Sequence, residues 1–265
     1  MNFYDSENEI IDTFQTVRKR EVYFPCFSKD AVSAFNAIYK RKKWKSWIDN
    51  SGKANPPPDF YSNKYGYIME VMRVDDHAHY NEKGVLVNPV NQRESMLQKE
   101  IRQNILKNNP KADLENIKIM INAWPQLPSL EDHNYRFYYE NFERVLTKHI
   151  KNIPLYRENQ PGKKLIFFVF DESTGYLQVD DAELAKRGPV ALEPVSARPV
   201  FHFFDKRFID VFQNSAIDFF VWFTPYKMFH GALIQPPKVC IFDMKRVKYK
   251  YIVDYPEDMI VSSEA

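Results

Sequence analysis

The stretch from Pro57 to Val74 reads Pro-Pro-Asp-Phe-Tyr-Ser-Asn-Lys-Tyr-Gly-Tyr-Ile-Met-Glu-Val-Met-Arg-Val. It sets Pro58-Asp59, then ten residues, then Glu70-Val71-Met72. Asp59 to Tyr61 and Tyr65 to Val74 have strand composition, and Asn63-Lys64-Tyr65-Gly66 has turn chemistry. Two carboxylates therefore end up on or beside neighbouring strands. Carboxylates converging from adjacent strand ends clamp a hard cation such as Mg²⁺, which takes oxygen ligands. Phosphodiester cleavage needs such a cation to polarise the phosphoryl oxygen and lower the pKa of bound water. The bland alternative is a strand start at Pro58-Asp59 and a solvent-facing residue at Glu70. Glu70 shares the alternate register of Ile68 and Met72, so it lies on their face. A carboxylate on that face sits at a sheet edge or is retained for function.

The order helix, strand with Pro-Asp, strand with Glu-x-(Lys), helix, strand resembles the PD-(D/E)XK nuclease superfamily, the restriction-endonuclease-like fold. The residues that carry the resemblance are Pro58-Asp59 and Glu70-Val71-Met72, within a segment from Ser28 to Ala123. The resemblance implies Asp59 and Glu70 as ligands of Mg²⁺ or Mn²⁺, with a strand carbonyl such as that of Val71 as a further oxygen. It also implies a lysine that orients or activates the attacking water. Met72 occupies that position, and a thioether donates no hydrogen bond to water. Lys64, between the two acidic positions, and Arg73, directly after them, are the surrogate cations, although an arginine stays protonated. With neither serving, the chain is a catalytically inactive relative.

The segment Lys40-Arg41-Lys42-Lys43-Trp44-Lys45-Ser46-Trp47 interleaves cations with indoles. Cations neutralise phosphates and indoles stack on exposed bases. The competing account is a solvated helix end with inward tryptophans, its cations suited to the negative end of the helix dipole. Arg246, Lys248 and Lys250 share one side of a strand-like run and form a second backbone contact, or an edge strand protected by charge. His77 and His79, beside Asp75 and Asp76, point the same way if extended and form an alternative metal site. His202, Asp171 and His230 are its distant third ligands, and an ordinary polar loop is the competing account. Asp171 and Glu172 end the most apolar run of the chain, where α/β sheets line a ligand crevice. Asp-Glu-Ser-Thr-Gly is equally ordinary turn composition.

The elements that must position these groups follow from pattern. A short helix surrounds Ile10, Ile11 and Phe14. Ser28 caps a helix reaching Ile48, with Val32, Phe35 and Ile38 as its apolar stripe. Asn91 and Glu94 start a helix carrying Leu97, Ile101 and Ile105 to Lys107. Ile117 to Ala123 reads as a strand. Glu131 to Ile150 is a helix with Tyr135, Tyr138, Phe142, Leu146 and His149 on one face. Lys164 to Asp171 is a strand covered on both faces. Strands at Pro199–Phe204, Phe219–Phe223, Val239–Phe242 and Lys245–Val253 follow, with Asp205 capping a helix through Phe212. The fold class is α/β, with mixed α+β as the alternative: a central mixed sheet flanked by helices with a restriction-endonuclease-like core. Residues 1–177 form the core with the candidate site, and residues 178–265 a strand-rich part that completes the same domain.

Composition bounds the functions. Hydrophobic residues at 44% and charged residues at 27% describe a globular chain. The 7 glycines leave little material for a glycine-built nucleotide cradle, and a net charge of +2 confines any nucleic-acid surface to a local patch. Cys26 and Cys240 are too far apart for a CxxC site and read as buried thiols of a reducing compartment. The acidic N-terminus and the lack of a long apolar run predict a cytoplasmic protein without a membrane partner. The expected function is a divalent-metal-dependent nuclease-like protein acting on nucleic acid. The alternative is a non-catalytic interaction module whose aromatic surface meets a protein partner or a second copy. A third class is a small-molecule enzyme built on His77, His79 and a transition metal.

Overall fold

Lys164–Asp171 is the strand on which the structure is built, and every residue of it except Lys164 is buried. The computed structural model describes residues 6–52, 58–114, 133–182, 197–227, 229, 235–247 and 252–263. Counted along the chain, the strands are β1 (Val22–Tyr23), β2 (Ile48–Asp49), β3 (Phe60–Ser62), β4 (Tyr67–Val74), β5 (His79–Tyr80) and β6 (Leu86–Val87). They continue as β7 (Lys164–Asp171), β8 (Tyr176–Val179), β9 (Ala197–Pro199), β10 (Phe219–Phe223), β11 (Val239–Asp243) and β12 (Ile260–Ser262). The helices are α1 (Glu7–Phe14), α2 (Lys29–Tyr39), α3 (Arg41–Trp44), α4 (Pro89–Asn108), α5 (Tyr135–Lys151), α6 (Ile153–Asn159) and α7 (Lys206–Phe212).

Seven strands form one mixed sheet in the order β1-β11-β10-β7-β4-β3-β2. β4, β7 and β10 run parallel at its centre, and β3 and β2 continue from β4 as an antiparallel meander. The expected central mixed sheet flanked by helices is present. β10 and β11 lie inside it, so the chain after Gln178 completes the same sheet. β8, β9 and β12 form a separate small sheet.

Side-chain alternation divides the core between two faces. Ile68, Met72, Leu165, Phe167, Val169 and Trp222 pack against Tyr138, Phe142 and Leu146 of α5, Tyr156 of α6 and Phe208 and Phe212 of α7. Met69, Val71, Ile166, Phe168 and Phe170 pack against Ile10, Ile11 and Phe14 of α1 and the apolar face of α2. Each large side chain buried this way stabilises the fold by about 1.5–3 kcal/mol before entropy is counted. The apolar run of β7 is continuous because both faces are covered.

Local chemistry sets the element ends. Ser28 Oγ accepts from Ala31 N at 2.8 Å and caps α2 from a buried position. Ser28→Ala should cost about 1 kcal/mol in a urea denaturation series. No loss would mean that packing alone holds the start of α2.

Four expectations fail. The helix from Ser28 does not reach Ile48: Lys40 has extended backbone (φ −82°, ψ 109°), α2 stops at Tyr39, and α3 is a single turn. Trp47 closes back on α2, its indole N–H donating to the Ala37 carbonyl at 3.0 Å, one of the acceptors a helix end leaves open. α4 begins at Pro89 rather than Asn91, proline being suited to a first helical position. Pro199–Phe204 is not one strand, since β9 ends at Pro199 and His202–Phe204 forms a 3₁₀ turn. The strand expected over Lys245–Val253 does not form among the described residues: Lys245 lies in a turn, and Val253 makes an isolated parallel bridge with Asp205. Ile117–Ala123, His230, Lys248 and Lys250 lie outside the described residues.

Candidate active site

The β3–β4 hairpin brings Asp59 beside Glu70. Phe60 pairs with Met69, which sets Asp59 one step further along and opposite Glu70. The two residues are cross-linked through backbone amides. Val71 N donates to Asp59 Oδ2 at 2.8 Å, and Asp59 N donates to Glu70 Oε2 at 3.3 Å. Gly66 makes the tight turn possible with φ +68°. Glu70 lies on the face of Ile68 and Met72, as its register requires, and this is a covered face rather than a solvated one. Its exposure is 7%, which rules out the solvent-facing account.

Two groups from the helical layer meet Glu70. His149 of α5 has Nδ1 2.8 Å from Glu70 Oε1, and the Tyr156 hydroxyl of α6 donates to the same oxygen at 2.9 Å. Burial, then the charge of Glu70, pushes the Tyr156 phenol well above its usual range, so it remains a donor. Burial is also the largest influence on Asp59, followed by the charge of Glu70 and smaller contributions from Glu7 and Asp49. Together they lift its carboxyl from 3.8 to about 7 despite the Val71 amide. The site is a crowded negative pocket, the electrostatic state a bound cation relieves.

The expected surrogate cations are not at this pocket. Arg73 is three residues beyond Glu70 on β4, so it projects from the opposite face, the side of Met69 and Val71. Lys64 sits in the hairpin turn with its amine 5.6 Å from the Tyr65 ring centroid. Met72 is buried among the apolar side chains on the Glu70 side. His149 and Tyr156 are the groups that sequence reasoning missed here. The signal available was a histidine on the apolar face of α5.

The basic segment is exposed at Lys40, Arg41, Lys42 and Lys45. Lys43 lies 5.0 Å from the Tyr65 ring centroid. Trp44 packs 5.0 Å from Phe60 and 5.2 Å from Trp47, and Trp47 stacks over Tyr67. The indoles point inward, so base stacking is not their role. The cations precede β2, the edge strand next to β3, along the chain. Arg246 is in the turn after β11, 3.9 Å from Asp243.

A second polar assembly occupies the C-terminal ends of the parallel strands. Asp171, fully buried at the end of β7, accepts from the Tyr138 hydroxyl (2.5 Å), Trp222 Nε1 (3.0 Å) and Ser173. The Lys227 amine lies 3.5 Å from it and donates to the Thr174 carbonyl at 2.8 Å. His202 Nε2 lies 3.7 Å from Asp171, and burial, then the charge of Lys227, keeps its ring neutral. Burial lifts the Glu172 carboxyl to about 7, although Arg73 opposes the rise. Past β4, Asp76 and His77 meet His133, which no periodic pattern had picked out. His79 does not join them: its Nδ1 meets the His77 carbonyl and its ring stacks on Phe137 at 4.4 Å.

Among the described residues, no helix is long and apolar enough to cross a membrane. Comparison of the chain with protein-family models, curated proteins and solved structures gives no match.

Proposed function

We propose that this protein is a Mg²⁺- or Mn²⁺-dependent hydrolase of nucleic-acid phosphodiesters, with Asp59 and Glu70 as the carboxylate ligands. The observation that carries this reading is the juxtaposition of the two carboxylates on adjacent antiparallel positions, Glu70 buried and Asp59 half-buried, held by the Asp59 and Val71 amides and crowded enough to lift the Asp59 carboxyl to about 7.

The donor set suits a hard cation. Asp59 Oδ1 has no hydrogen-bond partner among the described residues, and Glu70 Oε2 accepts from Asp59 N alone. Both are oxygen donors with further acidic groups, Glu7 and Asp49, close enough to raise Asp59. A bound divalent ion supplies Lewis-acid polarisation and a more acidic water. Tyr156 and His149 fix the Glu70 carboxylate. His149 is 20% exposed in its side chain and is the base in contact with Glu70, so it takes the proton-handling place that Met72 leaves. Lys43, beside the Tyr65 ring of the hairpin turn, and the exposed Lys40, Arg41 and Lys42 would hold the phosphate backbone.

The alternative, a non-catalytic interaction module, is favoured by one observation: the buried Met72 where the resembled family has lysine. Calorimetry with Mg²⁺, which takes oxygen rather than imidazole ligands, separates the two. Wild type should bind the ion, and a folded Asp59→Ala/Glu70→Gln variant should not. Glutamine keeps an acceptor for Tyr156. Absence of binding in wild type, or binding that survives in the variant, leaves the interaction module. Cleavage assays on single- and double-stranded DNA and RNA then identify the substrate.

A further inference from the structure

Past the end of β4, a second ligand set is assembled from residues far apart in sequence. Asp76 and His77 follow the strand, and His133 directly precedes Asn134, the N-cap of α5. One ligand atom from each lies within 4.8 Å of the others. We propose that Asp76, His77 and His133 bind a Zn²⁺-class transition-metal ion, with solvent as its fourth ligand.

The distances favour a shared ion over a simple hydrogen bond. His133 Nδ1 lies 3.3 Å from both Asp76 oxygens, and His77 Nε2 lies 3.6 Å from Oδ1. A charge-assisted bond between imidazole and carboxylate contracts to about 2.7–2.9 Å and selects one oxygen. Ligands 2.0–2.1 Å from a tetrahedral zinc stand roughly 3.3 Å apart, close to the spacing observed.

The carboxylate is oriented from behind. Asp76 Oδ2 accepts from Thr174 N at 2.9 Å and from the Tyr176 hydroxyl at 2.7 Å, while Oδ1 lies toward His77 and both oxygens stand 3.3 Å from His133 Nδ1. Such outer bonds fix metal-ligating carboxylates. Asp76 is fully buried. His133 has φ +51°, a region histidine enters more readily than most residues. Its side chain is 25% exposed, against 0% for Asp76, so the open side of the site faces solvent there. Three protein ligands and an open position are the composition that leaves a water on zinc. Imidazole donors distinguish this site from the all-oxygen pair at Asp59 and Glu70, and Asp76 lies six residue steps beyond Glu70, past the end of β4 at Val74, roughly 20 Å of extended chain.

The test loads metal-free full-length protein with Zn²⁺ in calorimetry and with Co²⁺ in visible spectroscopy. Wild type should take one tight equivalent, and Co²⁺ should give the intense ligand-field bands of a four-coordinate site. His77→Gln and His133→Gln should each weaken binding by on the order of 100-fold or more, with thermal melts in chelator confirming that both fold. Asp59→Ala/Glu70→Gln should bind Zn²⁺ as wild type does, so failure of this site and failure of the hairpin site are read separately. No Zn²⁺ binding by wild type, unchanged binding in both histidine variants, or loss in the Asp59/Glu70 variant would overturn the proposal.

Discussion

Asp59→Asn is expected to lower cation-dependent phosphodiester cleavage by on the order of 10²–10³ and to stabilise the metal-free protein at pH 8. Both effects have one cause. Burial and the neighbouring Glu70 charge raise the folded-state pKa of Asp59 from 3.8 to about 7. The folded chain therefore holds this proton more tightly than the unfolded chain does. The contribution to stability is fully present below about pH 4, falls as pH rises toward 7, and is flat above it. A move of that size corresponds to at most about 4 kcal/mol, and the true cost is shared with Glu70. Glu172 is lifted by burial over the same window, so the readout is the difference between wild type and Asp59→Asn. Urea denaturation in chelator at pH 5 and pH 8 should show the variant gaining about 1–3 kcal/mol on wild type between the two. Saturating Mg²⁺ should reverse the order at pH 8, because the ion binds wild type and replaces the proton. Equal pH slopes for the two proteins would mean that Asp59 is not crowded and that its pairing with Glu70 is incidental.

How much of this was legible depends on the range of each interaction. The hairpin was readable because Asn63–Gly66 supplies its turn and the strands alternate. Even the failure of Arg73 was written there, since an odd step from Glu70 places it on the other face. His149 was half legible: its position on the apolar face of α5 was evident, its partner was not. Nothing in a local window reports that α5 and α6 bring His149 and Tyr156 to Glu70 across 79 and 86 residues. His133 was less visible still, because the helix read from Glu131 in fact begins at Tyr135, and His133 lies just before its cap. The helix end at Tyr39 was misread for a related reason. Lys, Arg and Trp after it are compatible with helix, and the break is set by Trp47 turning back onto Ala37.

The buried network at Asp171 sets the largest stability prediction. Asp171→Ala should destabilise the protein by about 3–5 kcal/mol, a large share of the 5–15 kcal/mol typical of a folded domain. Removing the carboxylate leaves the Tyr138 hydroxyl, Trp222 Nε1 and Ser173 without their acceptor and takes away the anion facing Lys227. Lys227 is 3% exposed and also meets Ser173 Oγ, the Thr174 carbonyl and the face of the Tyr138 ring at 4.4 Å, so it would keep those contacts and lose the Asp171 carboxylate. Lys227→Met should also be costly, because it leaves a buried carboxylate with neutral donors. The double variant Asp171→Asn/Lys227→Met removes both charges and keeps an acceptor for Tyr138. It should lose less than the sum of the single changes, with a coupling of about 1–3 kcal/mol in a denaturation cycle. Additive losses would show that Asp171 and Lys227 act independently, Asp171 as the anchor of the turn after β7 and Lys227 as a donor to Thr174. A strong coupling instead makes the pair the tie between the end of β7 and the segment after β10, next to Thr174, whose amide bonds Asp76. The two proposed sites then have separate supports: a hairpin held by its own amides for the carboxylate pair, and a charged core network beside Asp76 for the histidines.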